Sequence, residues 1–197
     1  MLASITPLGE RGRHSRWGIT IGFFVLGCTA AGGLAGALCG VAGAIVLPAG
    51  VGAHARLLAL AIAVLAAIAV DGMANAVPGP RRQVNEHWLR EYRGWVYGLG
   101  YGIQFGLAVT TVVSSAATYV ALFAAFLTAG AGPGALIVGC YGAIRGVTPF
   151  LAAHVQSPQQ LVALHARLAR TRDLAARAGL ATLVAIFALA VAGSLGW

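Results

Sequence analysis

The sequence predicts an all-α integral membrane protein, a polytopic bundle of about five transmembrane helices, and three observations predict it. Hydrophobic residues make up 59% of the 197 and charged residues 9%, whereas a soluble domain carries about a quarter charged residues to solvate its surface. Several apolar runs reach the ~20 residues that a helix needs to cross a hydrocarbon core. Those Ala/Leu/Val runs lack the alternation of a barrel strand, which leaves helices as the way to satisfy the backbone in lipid.

Five runs are long enough to span, residues 18–46, 57–77, 95–127, 134–154 and 178–196. Pro- or Gly-bearing breaks separate them at 48–56 and 130–133, and polar loops at 78–94 and 156–177. The first and third runs would each exceed about 40 Å as continuous helices, more than the hydrocarbon thickness, so each must tilt, protrude or break. In the first, Gly32-Gly33 is the expected break. The apolar stretch that follows Arg11, Arg13 and Arg16 has the outline of a signal peptide, but it continues well past Cys28, which favours a retained helix.

The net charge is +8, yet the 13 basic residues are all arginine and most lie between the apolar runs, the distribution of topology signals and not of a nucleic-acid surface. With the N-terminus inside, Arg11, Arg13 and Arg16, then Arg81, Arg82, Arg90 and Arg93, then Arg167, Arg170, Arg172 and Arg177 all fall on the inner face. The positive-inside rule therefore predicts an N-in, C-out protein of the plasma membrane, with loops 78–94 and 156–177 cytoplasmic. In the second of these loops Leu161, Leu164, Leu168 and Leu174 oppose the arginines, as in an amphipathic helix at the inner interface. The segment from Asn85 to Arg93 carries Trp88 and Tyr92 among its charges and reads as an interfacial anchor.

Two stretches look related. Arg16-Trp17-Gly18 opens the first run much as Arg93-Gly94-Trp95 opens the third, and Asp71-Gly72 and Arg145-Gly146 follow at similar depth in the second and fourth. This suggests an internal repeat of two helices, in parallel copies, an arrangement on which transporters are commonly built.

Asp71 and Arg145 lie inside apolar runs, where an ionisable group is expensive unless it faces the bundle interior and finds a partner. They are expected to pair or to share a polar cavity, either as a relay or as a buried ion pair that fixes helix register. Tyr97, Tyr101, Gln104, Thr111, Ser115 and Thr118 recur at helical spacing in the third run and form a polar stripe. The stripe serves either as the lining of a pathway for a small polar solute or as interhelical hydrogen bonding. Gly32, Gly36 and Gly40, then Gly98, Gly102 and Gly106, and the pair Gly142 and Gly146 follow small-xxx-small spacing, as in a glycine zipper, which lets helix backbones approach closely within or between subunits.

Cys28, Cys39 and Cys140 lie in apolar runs without a CxxC. Cys28 and Cys140 each follow a glycine, and here residues 18–155 resemble the transmembrane thiol-disulfide carriers related to the cytochrome c biogenesis membrane protein. The resemblance implies one reactive cysteine in each half of a repeated bundle and a thioredoxin-like partner. No proline precedes either cysteine, which departs from the family's pattern. The histidines show no metal-ligand spacing, and no phosphate loop, GxSxG or HExxH occurs, so neither a cofactor nor an enzyme class is indicated. The readings in order are a small-solute transporter or exporter, a thiol-disulfide conduit, and a non-catalytic membrane subunit or assembly factor. With no room for a separate soluble domain, the expected partners are the bilayer and either further copies of the chain or other membrane subunits.

Overall fold

The computed structural model describes residues 5–48, 50–73, 77, 88–107, 113 and 115–196, and among them every regular element is helical. In order these are α1 (Pro7–Gly12), α2 (Trp17–Val46), α3 (Ala53–Met73), α4 (Trp88–Glu91), α5 (Gly94–Gly106), α6 (Ala117–Leu127), α7 (Ala131–Gly146), a 3-10 turn (Thr148–Ala152) and α8 (Pro158–Leu195). Among the described residues, four helical segments are long and apolar enough to cross a membrane: Trp17–Val46, Ala53–Met73, Ala131–Ala152 and Pro158–Leu195. Their outward faces carry large apolar side chains such as Ile45, Ile62, Leu136, Ile144 and Leu189, each at least 68% exposed. Exposed aliphatic surface on every long helix is what a bilayer requires and what water penalises.

α2 is the central post, packed between α5 and α7. Against α5 it runs parallel: a Cβ added at Gly98, Gly102 or Gly106 would strike the carbonyl oxygens of Thr20, Phe24 and Cys28, each four residues further along. Against α7 it runs antiparallel, with Gly32, Gly36 and Gly40 facing Val138, Gly134 and Gly130 in turn, and Gly142 on the carbonyl of Cys28. Gly27 and Gly43, outside the expected series, meet Leu99 and Phe126 in the same manner. Each contact puts backbone against backbone, the approach that helices in lipid use when the hydrophobic effect cannot hold them together.

Three expectations are corrected. The first run is unbroken at Gly32-Gly33, because Gly32 is buried against α7 and serves packing instead of a kink. It is the third run that breaks: α5 ends at Gly106 and α6 begins at Ala117. Of the residues between them, Leu107, Val113, Ser115 and Ala116 are described, and none of the four is helical. Finally, the loop expected at 156–177 is not separate from the last span. Ser157 and Gln160 form a capping box, and α8 then runs for 38 residues, about 57 Å, through Arg167, Arg170, Arg172 and Arg177 into the apolar half. Ala, Leu and Arg are strong helix formers, and nothing before Gly179 interrupts them. Of its leucines, Leu164 is buried against Ala152 and Val155, whereas Leu174 is exposed. Most of the expected loop 78–94 lies outside the described residues.

α8 packs along α3 in the opposite sense: the His54 ring nitrogen Nδ1 donates to the carbonyl of Ser194 at 2.6 Å, near the end of α8. α6 bridges this pair to the α2–α5–α7 unit, and Val64, Ala67, Ala116, Val120 and Leu183 form the core there.

Candidate functional site

The break between α5 and α6 organises the polar chemistry of the bundle. α6 has 11 residues, about 16 Å, too short to cross a hydrocarbon core on its own. Its unpaired backbone groups and its macrodipole must be satisfied inside the protein. α3 does this at both ends. Asp71, in the last turn of α3, accepts from Ser115 Oγ at 2.7 Å and from the Ala116 backbone N–H at 2.8 Å, while Ser115 Oγ accepts in turn from Ala117 N at 3.1 Å. At the other end Arg56 Nη1 donates to the carbonyl of Leu127 at 3.3 Å. An antiparallel helix thus sets a carboxylate on the positive end of α6 and a guanidinium on its negative end.

The expected partnership of Asp71 with Arg145 is therefore corrected. Both carboxylate oxygens of Asp71 are engaged at the head of α6, and the guanidinium carbon of Arg145 lies 4.1 Å from the Phe105 ring centroid and 5.6 Å from that of Tyr141. The two charges nevertheless converge on one region. Tyr141 OH and Thr118 Oγ1 share a hydrogen bond of 2.8 Å in the first turn of α6, so Tyr141 stands between the arginine and the capped helix end. Register along α2 places this level near Val25 and Cys28, about a dozen residues into a 30-residue helix, within the membrane-spanning length.

The polar stripe of the third run is divided by the break. Ser115 and Thr118 join the site just described. Tyr97 and Tyr101 are buried in a separate cluster with Ile5, Ile21, Phe24 and Cys28, where Trp88 stacks on Tyr101 at 6.2 Å. Gln104 is half-buried in the last turn of α5, and Thr111 lies outside the described residues.

The sequence reading missed Glu10. This carboxylate is fully buried, held by Arg13 Nη2 at 2.6 Å and by Thr20 Oγ1 at 2.8 Å, and it accepts from the hydroxyl of Tyr97. α1 positions it, with Thr6 as N-cap and Pro7 at the first helical position. Those two residues in front of the first acidic residue are the signal that could have found it. With Leu8 N donating to the Val155 carbonyl and Trp17 edge-on to Phe150, α1 clasps α2, α5 and the 3-10 turn together.

Cys28 is fully buried, where a Cβ at Gly146 would lie 3.4 Å from its sulfur, while Cys140 is exposed on the outer side of α7. The structure does not bring the two together. No group of three His, Cys, Asp or Glu among the described residues could hold a metal ion.

Fold and site together define a membrane-type helical bundle with a broken inner helix. Comparison with known proteins adds no family: no family model matches the chain, no curated protein matches it, and no solved structure matches it.

Proposed function

We propose that the chain is a small multi-pass transporter of the plasma membrane that moves a small solute through the break in its third crossing, with the N-terminus on the cytoplasmic side. The observation that carries this reading is the pair of half-helices α5 and α6, both parallel to α2, whose facing ends lie at membrane depth beside Asp71, Tyr141 and Arg145. Irregular backbone at that depth is tolerated where it is buried in protein or lines a water-filled cavity, and transporter sites recur at such helix breaks. The half-helices count as one crossing, which makes five, and the arginines flanking the crossings support the N-in orientation. Asp71 holds the head of α6 and so shapes the site; Tyr141, Thr118 and Arg145 face the solute.

The test is solute flux in proteoliposomes. Tyr141→Phe keeps the ring and removes the hydroxyl, and Arg145→Gln removes the charge. Both are expected to depress flux while leaving the amount of inserted protein unchanged. Wild-type flux in both variants would refute the assignment.

A further inference from the structure

We propose that Arg145 binds an oxyanion of the phosphate type, and this deepens the reading above by naming the charge class that the site accepts. A guanidinium stays protonated at any physiological pH, so this helix carries a permanent positive charge at membrane depth. Two acidic side chains described within the bundle are occupied elsewhere. Asp71 caps α6, Glu10 is held by Arg13, Thr20 and Tyr97, and the ion pair present among the described residues is Arg13 with Glu10.

Arg145 Nη1 is buried and has no hydrogen-bond partner among the described residues. Two compensations are visible. The guanidinium lies against Phe105, and Arg145 occupies the last turn of α7, where the helix dipole favours a cation. The residue as a whole is half-buried, and neither compensation supplies an acceptor to Nη1. A guanidinium with one face covered by a ring keeps its N–H edge for two parallel hydrogen bonds, the geometry that matches phosphate or carboxylate oxygens.

The oxyanion has two available sources, a free phosphate-bearing solute or the headgroup of an anionic phospholipid, and one experiment separates them. The full chain in phosphatidylcholine nanodiscs is titrated with inorganic phosphate by calorimetry; in a second arm phosphatidylglycerol replaces part of the lipid, and retention of that lipid is read by native mass spectrometry. Wild type is expected to bind saturably in one of the arms, with Arg145→Gln about tenfold weaker or worse and Arg145→Lys, which keeps the charge without the fork, in between. Arg56→Gln is the charge-matched control and should bind as wild type: its Nε is buried and unpartnered like Arg145 Nη1, but its Nη1 donates to the Leu127 carbonyl. Protection of Arg145 from phenylglyoxal by the same anions in the unmutated protein gives a readout that needs no variant to fold. Equal binding by wild type and Arg145→Gln in both arms, with no protection, overturns the proposal. Flux of a neutral solute together with that result would leave the transporter reading standing, and anion binding without flux of any solute would do the reverse.

Discussion

Gly32→Ala tests the packing of the bundle at one atom. An added Cβ there would lie 2.6 Å from the carbonyl oxygen of Val138, well inside the 3.4 Å at which ordinary contact begins, and 3.3 Å from its carbon. The obstacle is backbone on α7, so no rotamer change can relieve it, and α2 and α7 must separate. Overpacking of this kind costs typically about 1–3 kcal/mol. Against it stands the gain of up to about 1 kcal/mol that alanine brings to a helix interior over glycine. The net expectation is destabilisation by about 1–2 kcal/mol, and more for Gly32→Leu. Gly22→Ala provides the internal control: it lies in the same helix with nothing within 4 Å of the added carbon, and only the helix-propensity gain applies. Unfolding in mixed micelles of increasing denaturing detergent, followed by far-ultraviolet circular dichroism, compares the two. If Gly32→Ala were as stable as Gly22→Ala, the close approach of α2 and α7 would be refuted.

Three further outcomes follow from the geometry. Asp71→Ala removes both acceptors at the head of α6 and is expected to destabilise the protein by about 1–2 kcal/mol, as loss of a helix cap does, with Ser115→Ala showing a smaller effect; stability equal to wild type in the same micelle titration would contradict the capping role. Ala129 holds a left-handed backbone, φ 50°, between α6 and α7, so Ala129→Gly should raise stability by about 1 kcal/mol, and a loss would show that the turn adopts another conformation. A photoactivated lipid-soluble carbene reagent, which inserts without needing a thiolate, is expected to label Cys140 in intact bilayers and to leave Cys28 untouched until the bundle is unfolded; equal labelling would place α7 in a different rotation.

What the sequence made legible was decided by its length scales and its small residues. Among the described residues, four of the long apolar runs are helical and long enough to span, and Gly32, Gly36, Gly40, Gly98, Gly102 and Gly106 lie against neighbouring backbone. At the third run, length alone required a tilt, a protrusion or a break, and hydropathy could not choose among them; α5 and α6 show the break. The charge pattern misled at Asp71 and Arg145: two opposite charges in apolar runs suggest a pair, but each lies in the last turn of its helix, where a helix end competes for it. A neighbouring half-helix offers an N-terminus that satisfies a carboxylate as well as an arginine would, and only tertiary structure shows that it is there. Glu10 was passed over because it precedes the first apolar run, in a stretch read only for its arginines.

The central claim is that the third crossing is interrupted at membrane depth and that its ends face a polar site. Ser115→Cys in a cysteine-free background, treated in proteoliposomes with a membrane-impermeant thiol reagent, tests it directly, with Leu38→Cys on the outward face of α2 as the lipid-exposed reference. The interrupted crossing predicts labelling at position 115 and none at position 38. A position 115 as inert as position 38 would mean a continuous crossing sealed in lipid and protein, and would contradict the account.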